Sequence, residues 1–215
     1  MRGDRSTTMF DAIEAVVADY AAGKFVLMLD DENRENEGDL LIAASKITTE
    51  QMAWFIKHSS GFICLSLTPE RLAELDIPMM VPNNTEKHKT AYTITVDYVH
   101  DTTTGISAHD RALTARMLAD PTLGATAADF SRPGHLNPLR YTTGGVQVRP
   151  GHTEAAVDLA KAANLPPAGL LCELVDADDA LGGIAARDAC LKFAKEHNIK
   201  VSSIERLREW QNAHK

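Results

Sequence analysis

Cysteine is scarce in this chain. Its 215 residues include only Cys64, Cys172 and Cys190, scattered, odd in number and in no metal-ligand spacing such as Cys-x-x-Cys. That argues against a disulfide framework and for a reducing compartment. Long apolar runs are also missing, and residues 1–5 lead into no hydrophobic core. Neither a membrane span nor a signal peptide is expected, and a cytoplasmic protein is. Basic residues are outnumbered, 22 lysines and arginines against 30 aspartates and glutamates, and they form no stripe, which excludes a nucleic-acid backbone as partner. No repeat, low-complexity tract or composition break marks a linker. At 44% hydrophobic and 24% charged, residues 1–215 suit one globular domain with a sizeable core.

What is present is local. Of the net charge of −8, residues 30–39 supply −5, from six acids and Arg34. They read Asp-Asp-Glu-Asn-Arg-Glu-Asn-Glu-Gly-Asp and follow a strand-like apolar run at 25–29. A solvated helix face would interleave lysines, so these acids belong to a loop. Such a loop attracts a hard cation such as magnesium, which is held by one or two carboxylates plus oxygens of a phosphorylated substrate. Arg34 would then hold a substrate oxygen or phosphate. A plain solvated acidic loop explains this segment alone equally well.

Around it, Ile13, Val16, Val17 and Tyr20 predict a helix ending at Gly23, and strands are predicted over 25–30, 62–66, 92–98 and 170–175. Thr48 with Gln51 and Ser107 with Asp110 form capping boxes, the second opening a helix with an apolar face of Leu113, Met117 and Leu118. Pro69 starts a short helix. Residues 76–90 and 102–104 read as loops, the first a mobile one, and 131–151 carry few helix signals. A helix runs from His152 to about Asn164, and two more close the chain. This irregular alternation predicts an α+β fold, a mixed sheet with flanking helices, over a regular doubly wound one.

Arg149-Pro150-Gly151-His152-Thr153-Glu154 stands where an irregular segment becomes a helix. Unpaired N–H groups, Arg149 and the Thr153 hydroxyl would cradle a phosphate, and His152 would offer a metal ligand, although ordinary helix capping accounts for the same residues. Arg132-Pro133-Gly134-His135 is a rigid turn carrying a histidine. Glu173 interrupts the apolar run at 170–175. It either alternates toward solvent or is buried, where its pKa would rise toward the range useful for acid–base work.

Jointly these residues resemble the 3,4-dihydroxy-2-butanone 4-phosphate synthase family of the riboflavin pathway. The resemblance rests on the acidic segment 30–39, Ser-Gly-Phe-Ile-Cys at 60–64, Pro-Asn-Asn-Thr at 82–85 and Thr-Thr-Gly-Ile-Ser-Ala-His-Asp-Arg at 103–111. It continues through Arg-Pro-Gly-His at 132–135, Arg-Pro-Gly-His-Thr-Glu-Ala at 149–155 and Ala-Gly-Leu-Leu-Cys-Glu-Leu at 168–174. It implies an α+β homodimer with sites near the subunit interface. It further implies a magnesium-dependent (or manganese-dependent) conversion of D-ribulose 5-phosphate to L-3,4-dihydroxybutan-2-one 4-phosphate and formate. The chain ends too soon for the GTP cyclohydrolase II domain found fused in some members, so it resembles the monofunctional form.

By this resemblance Glu35 and His152 match metal ligands, and Arg34, Glu35, Asp39 and Glu173 match substrate contacts. Arg149, Pro150, Gly151, His152 and Thr153 match the phosphate turn, and His135 and Glu173 match the catalytic positions. Glu37, Cys64, Asp110 and Arg132 lie in matching motifs without an assigned role. The chemistry needs these types: removing a proton beside the ketone creates an enediolate that a cation stabilises, and a base and an acid then move protons at several carbons. The segment 176–186 departs from the usual Asn-Asp-Asp-Gly-Thr-Met-Ala and is expected to alter the wall near Glu173. Pro150 stands where glycine is frequent, and Glu86-Lys87-His88-Lys89 is individual to this chain. A metal-dependent sugar-phosphate isomerase or aldolase, or a non-catalytic phosphosugar binder, are the alternatives.

Overall fold

The computed structural model describes residues 9–214; the chain start read above for a signal peptide lies outside them. The first helix, α1 (Ile13–Ala21), buries Ile13, Val16 and Tyr20, and Gly23 ends it at φ 72°, a conformation that costs glycine little. Three further helices begin as expected. Thr48 and Gln51 form the capping box of α2 (Thr49–His58), Pro69 opens α3 (Pro69–Glu74), and Ser107 caps α4 (Ala108–Ala119) through Asp110 N–H, while the Asp110 carboxylate turns to Thr103 and Gly105 in place of the expected reciprocal bond. The buried apolar residues of α4 are Ala112, Ala115, Leu118 and Ala119, so small side chains let it approach the sheet, while Leu113 and Met117 are only half-buried. Three more helices follow: α5 (His152–Ala162), α6 (Arg187–His197) and α7 (Ile204–Ala213).

The strands are β1 (Val26–Leu29), β2 (Gly38–Ala43), β3 (Cys64–Leu67), β4 (Val96–Tyr98), β5 (Phe130–Arg140), β6 (Ala168–Glu173) and β7 (Lys200–Ser203). They form one sheet in the order β4-β5-β3-β6-β2-β1-β7. It is mixed, with β1–β7 and β3–β5 parallel and the other pairs antiparallel, as the α+β reading expects. Three of these strands carry no clear sequence signal. The acids before it mask β2, two prolines and a glycine disguise β5, and β7 is four residues with two serines. Asp39 therefore belongs to a strand and not to the acidic loop.

Side chains alternate between two cores on opposite faces of the sheet. Leu27, Leu40, Ile42 and Leu170 pack with α2, α4 and α6. Val26, Met28, Leu41 and Leu171 pack with α1, α5 and α7. Covering both faces explains why β1 and β6 read as continuous apolar runs. Among the described residues no helix is long and apolar enough to cross a membrane, and all three cysteines are free and buried.

Candidate active site at the start of helix α5

Strand register assembles the site. Asp39 stands opposite Met28 on one side and Glu173 on the other. Alternation places Asp39 and Glu173 on the same face as Leu41 and Leu171, toward α5. Two carboxylates directly across a strand pair repel, a poor choice for a purely structural sheet.

The loop between β1 and β2 folds back on Asp30. Asp30 Oδ2 accepts from Glu35 N–H at 3.1 Å and Arg34 Nη1 at 2.9 Å, and its Oδ1 accepts from Glu37 N–H at 3.0 Å. Arg34 also pairs with Glu35. The segment is thus ordered around one buried acid, and the plain solvated reading does not describe it.

His152, the first residue of α5, donates Nε2–H to the Met28 carbonyl at 3.1 Å. A carbonyl only accepts, so Nδ1 keeps its lone pair, facing Asp39 Oδ1 at 3.4 Å and Glu35 Oε2 at 3.9 Å. Burial pushes the His152 pKa down to about 4, leaving the neutral imidazole a metal requires. Asp39 Oδ1 is buried without a hydrogen-bond partner. Burial, followed by the charges of Glu173, Glu35 and Glu37, raises the Asp39 pKa well above its ordinary value. Burial and the same crowding push Glu37 up to about 6. One ligand atom each from Asp30, Glu35 and His152 lie within 4.8 Å of one another. A lone pair, an orphaned oxygen and mutually repelling carboxylates together fit a divalent cation. Since Asp30 already serves the loop, Glu35 and His152 are the freer ligands.

A cavity of about 200 Å³ opens here. Glu35, Glu37, Asp39, His152 and Glu173 line it together with Arg34, Arg149 and Thr153. The two guanidiniums converge over Gly151, where a Cβ would lie 2.6 Å from Arg149 Nη1 and 3.1 Å from Arg34 Nη2. Glycine leaves that space without displacing either guanidinium, beside the free N–H groups and positive dipole of the α5 start. Glu173 is half-buried and accepts from Ser60 Oγ at 2.9 Å. Cys64 also lines the cavity, and burial raises its pKa, keeping it a thiol.

Other expected residues lie elsewhere. Pro150 lines a neighbouring cavity with Arg187 and Arg208, in which Arg34 also takes part. His135, on β5, does not line the acidic cavity. Its Nδ1 pairs with Asp97 Oδ2 at 2.6 Å, and its backbone N–H donates to Asp97 Oδ1 at 2.8 Å. Arg132 donates to the carbonyls of Ala127, Phe130 and Leu75, and Asp110 accepts from Thr103 and Gly105 N–H; both brace backbone. Segment 176–186 closes on itself through Asp176 N–H to Gly183 O and Asp179 to Leu181 and Gly183 N–H. It contributes nothing to the cavity lining, contrary to the expected change in the wall.

Sequence reasoning missed Asp97, Ser60, Glu86, Thr90 and Tyr92, of which the last three line the cavity. Asp97 carried a usable signal, a carboxylate inside an apolar strand, like Glu173. Segment 86–90 roofs the cavity through Glu86 and Thr90, and His88 Nε2 lies 3.8 Å from Glu35 Oε1.

Residues 14–210 match the family described as 3,4-dihydroxy-2-butanone 4-phosphate synthase. The chain is 55% identical to the Schizosaccharomyces pombe protein named 3,4-dihydroxy-2-butanone 4-phosphate synthase, over 94% of this chain and 98% of that one. It is 52% identical to the riboflavin biosynthesis protein RibBA of Rhodococcus erythropolis over 96% of its own length, spanning 48% of that longer protein. A crystal structure of 3,4-dihydroxy-2-butanone 4-phosphate synthase in complex with two magnesium ions superposes with a TM-score of 0.88 at 50% identity, covering 92% of this chain and 95% of the other.

Proposed function

This chain belongs to the 3,4-dihydroxy-2-butanone 4-phosphate synthase family, and from that premise we propose that it is the magnesium-dependent lyase of riboflavin biosynthesis converting D-ribulose 5-phosphate to L-3,4-dihydroxybutan-2-one 4-phosphate and formate. One observation carries the proposal. Glu35 and the His152 lone pair, with the orphaned Asp39 oxygen beside them, adjoin two arginines at a helix start. Those two halves suit the two ends of a phosphorylated sugar. Manganese would suit the same ligands.

Glu35 and His152 would hold the divalent ion, which would supply Lewis-acid stabilisation of charge developing on the sugar's ketone and hydroxyl oxygens. The chain's own residues do the rest. Arg34 and Arg149, with Thr153 and the free N–H groups of α5, hold the phosphate and so fix the reacting carbons. Asp39 orients a substrate hydroxyl from the cavity floor. Glu173, steadied by Ser60, exchanges protons there.

His135 is the second proton carrier, delivered from a second copy of the chain in a homodimer. Support comes from its absence from the lining of the acidic cavity, its 43% side-chain exposure beside Asp97, and the exposed apolar Phe62, Val99 and Ile106. The dimer works in the cytoplasm with each chain one domain, a reading supported by three unpaired cysteines.

The test is formate release from ribulose 5-phosphate by purified protein, with and without magnesium, alongside Glu35→Ala. Magnesium-dependent formate that disappears in the variant is expected. Sugar consumption without formate would instead identify an isomerase or aldolase, and no turnover a binding protein.

A further inference from the structure

We propose that Glu154 is a positioning residue, whose carboxylate sets the Arg149 guanidinium as a fork between the phosphate end of the cavity and the roofing segment 86–90. The inference rests on Arg149 being the phosphate ligand argued above. Glu154 lies in the first turn of α5 and is fully buried, yet it is absent from the cavity lining. Both its oxygens are filled from within the chain. Oε1 accepts from Thr142 N–H at 3.1 Å, and Oε2 takes Arg149 Nη1 at 2.6 Å. A carboxylate this deep is tolerated only when so paired, and its pairing leaves it nothing to offer a substrate.

Its effect falls on Arg149. With Nη1 pinned to the helix, Nη2 is directed at the roof, donating to Thr90 Oγ1 at 3.0 Å and to the His88 carbonyl at 3.3 Å. The missing Cβ of Gly151 gives this fork its room. An arriving phosphate therefore meets a guanidinium already oriented, and it shares that guanidinium with the segment carrying Thr90 and His88. Phosphate binding and the seating of the roof are linked through one side chain. Lysine would not serve, because a point charge on a flexible stem does not span both partners.

Steady-state kinetics on the full-length, magnesium-loaded protein test this, with inorganic phosphate as a competitive inhibitor. Glu154→Gln cannot offer an acceptor to both Thr142 and Arg149. It is expected to raise the phosphate inhibition constant and KM together by on the order of tenfold, with a smaller loss in kcat and unchanged magnesium affinity. Arg149→Lys, which keeps the charge but loses the fork, is expected to do the same, and it serves as the test should Glu154→Gln fail a thermal-melt check of folding. In an Arg149→Ala background, Glu154→Gln is expected to add nothing. A wild-type phosphate constant in folded Glu154→Gln or in Arg149→Lys, or an undiminished effect of Glu154→Gln without Arg149, overturns the proposal. If Arg149→Ala alone leaves the phosphate constant unchanged, it is the phosphate reading of Arg149 that fails.

Discussion

The fold holds two histidines in opposite ways. His152 is buried at a helix start, tied through Nε2–H to a backbone carbonyl, and its Nδ1 lone pair faces two carboxylates. His135 is 43% exposed on a strand, and its Nδ1 is the atom tied down, by the Asp97 carboxylate. Burial holds the first neutral, as a ligand must be. The second has its ring oriented by a carboxylate, the arrangement that the proton carrier proposed above needs. Two residues of one type thus acquire different chemistry from the nitrogen that is occupied and from access to water.

Replacing each with asparagine puts that division to its hardest test. His152→Asn is expected to weaken magnesium binding by on the order of a hundredfold, the upper end of what losing even an outer-shell partner of a ligand costs. His135→Asn is expected to keep magnesium affinity and to lower kcat by roughly a hundredfold or more. Calorimetric titration of magnesium beside formate release reads both quantities, and lost metal affinity in His135→Asn would end the distinction.

The second expectation concerns which chain supplies each residue. Glu35→Ala and His135→Ala are each expected to be inactive alone. If His135 enters the cavity of a second copy, unfolding and refolding them together at equal concentration yields about half mixed dimers, each with one intact site of two. About a quarter of wild-type activity should return. No recovery, from mixtures shown by mass to contain mixed dimers, would place His135 and the acidic loop in one chain's site.

Much of this site was legible before any fold, because its parts are clustered along the chain. The acids at 30–39 and the Arg-Pro-Gly-His-Thr turn announce themselves by residue type and helix-start chemistry, and both reach the cavity. What stayed hidden depends on register. That Asp39 faces Glu173 follows only from the pairing of β2 with β6, and β2 was invisible behind its acidic prelude. The partnership of His135 with Asp97 crosses from β5 to β4, and the prolines of β5 made that strand read as a turn. Pro150 shows the converse: neighbouring the right residues in sequence did not bring it to their cavity, because a turn sends consecutive residues in different directions.

The smallest expected effect lies within the acidic half alone and asks what its crowding is for. Burial and neighbouring charges lift Glu37 to about 6 and Asp39 above its ordinary range, so the metal-free cluster holds protons that a cation must displace. Magnesium affinity should therefore fall a few-fold as pH drops from 7 to 5, with proton release on binding largest near pH 6. Metal-free stability is the poorer readout because the signs oppose. Carboxylates with raised pKa values lose stability as pH rises through those values, whereas His152, lowered to about 4, gains stability as pH rises from there toward the ordinary histidine range. Because burial keeps His152 neutral, protons released on binding report the carboxylates, and Glu37→Gln should diminish them near pH 6. Release unchanged in that variant would mean that Glu37 is no part of what the cation relieves, and the repulsion would then rest on Asp39 facing Glu173 across the sheet.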